Sequence, residues 1–137
     1  MNIFILHNNP NQAARMQCDK HIPKMVLESA QMMASALHRH GVKEESMPLT
    51  KSGTPYKAAH PHHPCTVWAG DSEHNLLWLA DHAKGLCVEY TKRFNKVHAC
   101  EAPIVHMTLL IDRSGRTMNT FPCRGVTPFA QATQTRW

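Results

Sequence analysis

The chain has 137 residues, 42% of them hydrophobic, and its 15 lysines and arginines outweigh 10 acidic residues to leave a net charge of +5 and a pI near 9.1. That length suits one domain with a core large enough to need no disulfides, and no apolar stretch nears the ~20 residues of a membrane span. The basic excess points to a polyanionic partner such as nucleic acid, and the 11 histidines add positive charge as the pH falls.

Residues 2–6 hold Ile3, Phe4 and Ile5, which suit a short strand or a buried amino-terminal segment. The run is too short for a signal-peptide core, and no basic region precedes it. His7-Asn8-Asn9-Pro10-Asn11 is turn chemistry. Residues 11–40 then read as helix, with Val26, Ala30, Met33 and Leu37 on the buried face and Met25, Ala34 and Ala36 beside them. Pro23 must kink that helix or mark a fresh start near Ile22. Gly41 is its expected C′ residue, after the cationic His38-Arg39-His40.

Residues 42–67 lack periodicity and contain Pro48, Gly53, Pro55, Pro61 and Pro64. They read as one long loop, of a length that is often functional. A second helix, capped by Asp71 or Ser72, should run to about Lys96. Its apolar stripe is Leu76, Ala80, Ala83, Cys87, Tyr90 and Phe94, widened by Leu77 and Val88. A short third helix is expected over 101–111, with Pro103 in its first turn, and the tail 112–137 reads as irregular. The fold class is mainly α: a single helical domain over residues 1–137.

One stripe of the first helix carries unusual chemistry. Cys18, His21, Lys24, Glu28 and Gln31 follow each other at steps of three or four, which places them on one side of a helix. An imidazole with a pKa of about 6.5 suits proton transfer at neutral pH. A nearby ammonium can hold a phosphate or a developing anion, and a carboxylate can orient the imidazole or act as base. The bland reading is a solvated helix face with a Lys24–Glu28 surface pair.

The five cysteines have irregular spacings and form no CxxC pair, which suits free thiols in a reducing, cytoplasmic setting. Cys18, His21, His63 and Cys65 make a candidate zinc set with CxxH and HxC spacings. Against it, Cys18 and Cys65 read equally as small buried hydrophobes. On the long loop, Tyr56, Lys57, His60, His62, His63 and Trp68 interleave aromatic and basic groups, a composition suited to phosphate contact and base stacking. The alternative is a proline-stiffened loop whose Trp68 packs on the next helix. Lys92, Arg93 and Lys96 read as favourable charge at a helix C-terminus.

Lys20-His21-Ile22-Pro23-Lys24 on a helix, then Tyr56-Lys57 and His60-Pro61 on a loop, then a long helix with Glu89-Tyr90-Thr91-Lys92-Arg93-Phe94, form a layout over residues 1–98. It resembles the phage pyrimidine-dimer DNA glycosylases of the endonuclease V type. Residues 20–24 are similar to that family's Arg-Glu-Leu-Pro-Arg in the order basic, X, aliphatic, proline, basic. The chain is also similar to short phage proteins with a CDKH…K…E…AQ helix and an HPC…W segment.

The resemblance implies an all-α fold and a base-excision reaction. The amino-terminal amine attacks the sugar C1′, a Schiff base forms with help from the helix glutamate, and the strand is cut by β-elimination. In this chain His21 stands where that glutamate is expected, a type that also suits hydrolytic phosphodiester cleavage, and Glu28 is a substitute carboxylate. Asn2 is bulky for removal of the initiator, so the amine falls to Met1.

The expectation is therefore a glycosylase and AP lyase, or a related nuclease, with Met1, His21 and Glu28 catalytic. Lys20, Lys24, Lys57, His63 and Trp68 would contact nucleic acid. No cofactor is expected, with zinc on the Cys₂His₂ set as the alternative for a binding module without catalysis. DNA is the expected partner of a monomer that meets no membrane, in the cytoplasm of an infected bacterium if phage-encoded. The remaining alternative is an accessory protein that binds a host protein.

Overall fold

In the computed structural model the described residues are 2–114 and 120–130, with 112–114 described as backbone only. Among them are five helices: α1 (Pro10–Arg15), α2 (Ile22–Arg39), α3 (Pro64–Asp71), α4 (Glu73–Phe94) and α5 (Glu101–Ser114). The mainly α expectation holds. Three boundaries differ from those read in the sequence.

The single helix expected over 11–40 is two. Asn9 caps α1, its Oδ1 accepting from the N–H groups of Asn11 at 3.0 Å and Gln12 at 3.1 Å. The chain then turns, and α2 starts afresh with Pro23 in its first turn, where a missing N–H costs nothing. Cys18 therefore lies in the turn, off the helix stripe. The loop expected over 42–67 ends early, because Pro64 opens α3. The expected third helix is present and extends to Ser114.

α2 is the central element. Ile22, Val26, Ala30, Met32, Met33, Ala34 and Leu37 are all wholly buried, so it is apolar on most of its circumference. It ends as expected. The Val42 N–H donates to Leu37 O, and that of Gly41 to His38 O, both at 3.1 Å. Gly41 has φ +87°, the left-handed conformation this cap needs.

α4 crosses α2 and buries Leu76, Leu79, Ala80, Ala83, Leu86 and Cys87. Val88, expected to widen that stripe, is 50% exposed. α1 lies against α4 at Gly85, where an added Cβ would meet the Ala14 Cβ at 2.9 Å. Only glycine lets the two helices approach so closely.

Two irregular segments are tied down by polar side chains. The long loop is held by Ser35, whose Oγ donates to Ala59 O at 2.7 Å and accepts from Ala59 N–H at 2.6 Å. His38 adds a bond to Tyr56 O at 2.8 Å. Residues 120–130 form a strap over α3 and the start of α4. The Ser72 hydroxyl donates to Gly125 O at 2.6 Å, and Trp68 Nε1–H to Thr127 O at 3.2 Å. The buried Asn75 amide donates to Thr127 Oγ1 at 2.8 Å and accepts from its N–H at 2.9 Å. Phe129 packs between Trp68 and Trp78, with ring centroids 5.3 and 5.0 Å away.

Asn75 also donates to Trp68 O at 2.8 Å, so its side chain joins α3, α4 and the strap. Asn75→Ala leaves several buried partners unmatched. It should lower unfolding free energy by about 2–4 kcal/mol, read from urea denaturation followed by circular dichroism.

Candidate active site

The amino-terminal segment runs into the angle between α2 and α3. Asn2 is buried at 5% exposure and Glu28 at 6%. The Asn2 N–H donates to Glu28 Oε1 at 2.8 Å. The Asn2 side chain turns back on its own backbone, its Oδ1 accepting from Ile3 N–H at 2.8 Å. The same oxygen receives the Cys65 thiol at 3.8 Å. Phe4 has φ +53°, an uncommon conformation for a bulky residue, of the kind that clusters at functional sites. Its ring stacks on His21 at 5.1 Å.

The polar stripe is thus partly realised. Lys24 Nζ lies 3.9 Å from Glu28 Oε2, with the lysine side chain 73% exposed, so this pair is screened by solvent and weak. His21 precedes the first turn of α2 as an exposed residue lying on Phe4. Lys20 and Lys57 are exposed, as phosphate contacts must be.

Two candidates are corrected. Trp68 is 3% exposed, packed on Trp78 and Phe129, and bonded through its indole N–H, so it is a core residue and no stacking platform. The zinc set does not assemble: among the described residues no three His, Cys, Asp or Glu side chains gather as a metal site. Cys18 is exposed in its turn while Cys65 is buried at the start of α3, its thiol directed to Asn2 Oδ1 and, at 3.5 Å, to Ala130 O. Met1 lies outside the described residues.

Other parts of the arrangement were not read from the sequence. Arg93, taken as a helix-end charge, reaches back to the turn before α2. Its guanidinium donates to Gln17 O at 2.6 Å, Arg15 O at 2.9 Å and Asp19 Oδ1 at 2.9 Å, and it pairs with Glu89 at 3.0 Å. That clamp fixes the turn carrying Cys18, Asp19 and Lys20. His98 ties the α4–α5 turn to α2 through Nε2 and Pro23 O, 3.0 Å apart. A cavity of about 630 Å³ borders the same stretch of α2 and is lined by Leu27, Gln31, Lys51, Tyr56, Lys57 and His98. Lys51 and Lys57 of the loop give this cavity a cationic face, while Glu28, buried on α2, is not part of its lining.

A sequence profile described as pyrimidine dimer DNA glycosylase matches residues 1–102, a stretch that contains the amino-terminal segment, α2, the loop, α3 and all of α4. The chain belongs to the pyrimidine dimer DNA glycosylase family. No curated protein and no solved structure matches it. Membership makes DNA repair its class and DNA its substrate. The buried Asn2–Glu28 contact and the cationic face both lie inside the matched region.

Four histidines, His40, His63, His82 and His98, are held below their ordinary pKa of 6.5, in each case chiefly by burial. His82 is wholly enclosed, with Nδ1 3.0 Å from Pro10 O and Nε2 buried without a hydrogen-bond partner among the described residues. For a histidine lowered in this way, the unfolded chain takes up protons first. Its stabilising contribution is whole above about pH 6.5 and is lost as the pH falls below that, toward the folded values. The melting temperature should therefore drop between about pH 7.5 and pH 5.5. A melting temperature that is flat or rises on acidification counts against these rings being buried neutral.

Proposed function

We propose that the protein is a DNA glycosylase with AP lyase activity whose nucleophile is the chain's α-amine. The observation that carries this reading is the buried Glu28 carboxylate 2.8 Å from the Asn2 nitrogen. If Met1 is retained, its amine is one residue's backbone from that nitrogen. If Met1 is removed, the Asn2 nitrogen itself becomes the amine, already within hydrogen-bond reach of Glu28. Either way one carboxylate accompanies the amino end of the chain, although His21 holds the sequence position where the resemblance expects a glutamate.

The amine attacks C1′ of the damaged nucleotide, and the base departs with the electron pair of the glycosidic bond. Glu28 takes the proton that the amine loses. The C1′–O4′ bond then breaks, O4′ leaving with its electron pair and taking a proton, and the iminium so formed between the nitrogen and C1′ acidifies C2′. Loss of a C2′ proton then expels the 3′-phosphate, and the strand is cut. His21, exposed at the edge of the site, is placed to take part in those later proton transfers. Lys20, Lys24 and Lys57 hold strand phosphates, an electrostatic contact that fixes register without reading sequence. The target nucleotide has to leave the stack for the amine to reach C1′. No metal enters these steps.

Borohydride trapping on a duplex with one abasic site tests the reading. A covalent adduct should map to the amino-terminal residue, and intact mass tells whether that residue is Met1 or Asn2. Glu28→Gln should keep the hydrogen bond from Asn2 and lower strand cleavage by about 10²-fold or more, the scale of a lost acid–base group. An intact duplex and no adduct with the unaltered protein would remove the Schiff-base mechanism. His21→Ala with undiminished cleavage would take His21 out of the proton transfers.

A further inference from the structure

The residue that caps α3 is a histidine, where Ser, Thr, Asp or Asn is usual. His63 Nδ1 accepts from Cys65 N–H at 3.1 Å. A nitrogen that accepts carries no proton, so the neutral ring holds its proton on Nε2. To become a cation the ring would have to protonate Nδ1. That would break the cap and set a positive charge against the N–H end of a helix.

The same ring stands beside the proposed reaction centre. Cys65, two residues on, touches Asn2 Oδ1, and Asn2 is the residue whose nitrogen Glu28 holds. His63 is half-buried, and among the described residues nothing accepts from its Nε2. The imidazole therefore has one nitrogen committed to the cap and one donor without an acceptor among the described residues.

We infer that His63 meets a strand phosphate next to the reacting sugar as a fixed, uncharged hydrogen-bond donor through Nε2–H, and that it is not a general base. This deepens the glycosylase reading and rests on it for the identity of the substrate. Burial is the main cause that lowers its pKa, and positive charge nearby, that of His60 included, acts the same way. The Glu28 carboxylate pulls in the opposite direction. Lysines 20, 24 and 57 attract DNA as cations, with a strength that salt controls. His63 would add a short-range bond of fixed direction and little dependence on pH, next to the bond that breaks.

The test is made on the full chain. Long-range proton–nitrogen spectra, with His63 assigned by comparison to His63→Asn, should show a neutral ring protonated on Nε2 from about pH 7.5 down to about pH 6. A ring protonated on Nδ1, or an imidazolium in that range, overturns the inference. His63→Asn keeps a capping oxygen and loses the Nε2 donor; His63→Ser does so by a second route should the first variant fold poorly. On a duplex carrying a tetrahydrofuran abasic analogue, both should bind roughly tenfold more weakly, as fits one bond to a charged oxygen. The loss should be the same at about pH 7.5 and pH 6. Unchanged affinity, or a loss that grows on acidification, overturns it. Borohydride trapping of the unaltered protein separates the two readings. A missing adduct removes the lyase mechanism, while the ring's tautomer and the binding loss still decide His63. No binding by the unaltered protein removes both.

Discussion

A carboxylate removed from water stabilises a fold only when donors replace the water it has lost. Glu28 obtains one of its donors from the second residue of the chain, a bond that spans 26 positions of sequence. The amino-terminal segment therefore has to lie where it does, between α2 and α3. That requirement extends outward: Phe4 adopts a positive φ, and its ring meets His21. His82 holds the carbonyl of Pro10, where α1 begins, and Gly85 lets α1 settle against α4. The segment from Asn2 onward is thereby held in place against the candidate site.

Much of the scaffold was legible because it rests on periodic burial. The face of α2 marked by Val26, Ala30, Met33 and Leu37 is buried, and Gly41 ends the helix by the bonds a left-handed residue permits. Pro23 was correctly a point of discontinuity. The break came wider than one proline requires, because Arg93 draws the carbonyls of Arg15 and Gln17 toward α4 and stops α1 early. A guanidinium 76 residues away leaves no local signal at that turn. α3 was hidden for a different reason. Pro64 and the histidines before it read as loop, yet a proline in a first turn and a histidine acting as cap are compatible with helix.

The candidate site was legible in its residue types more than in its partners. Glu28 and Lys24 do face each other, and Lys20, Lys24 and Lys57 are exposed. Trp68 was misplaced because aromatic residues interleaved with basic ones look alike on a surface and over a core. The strap that covers it comes from 59 residues further along, through Thr127, and has no periodicity to announce it. The apparent zinc spacing failed on burial. Cys18 is exposed in its turn and Cys65 is buried at the start of α3, and no three of the set gather among the described residues. Asn2 carried a faint signal, since asparagine side chains readily bond the backbone just ahead of them.

The strap also bears on the order in which the protein is made. A nascent chain emerges from its amino end, and domains tend to fold as their residues arrive. By the time Ser114 is free of the ribosome, all five helices have been synthesised. Trp68, Trp78 and Asn75 still lack Phe129 and Thr127, and the Cys65 thiol still lacks the Ala130 carbonyl. The helices exist at that moment with Trp68 and Trp78 not yet covered by the strap. The packing around Cys65 and the two tryptophans thus waits on residues 120–130, which are made after all five helices.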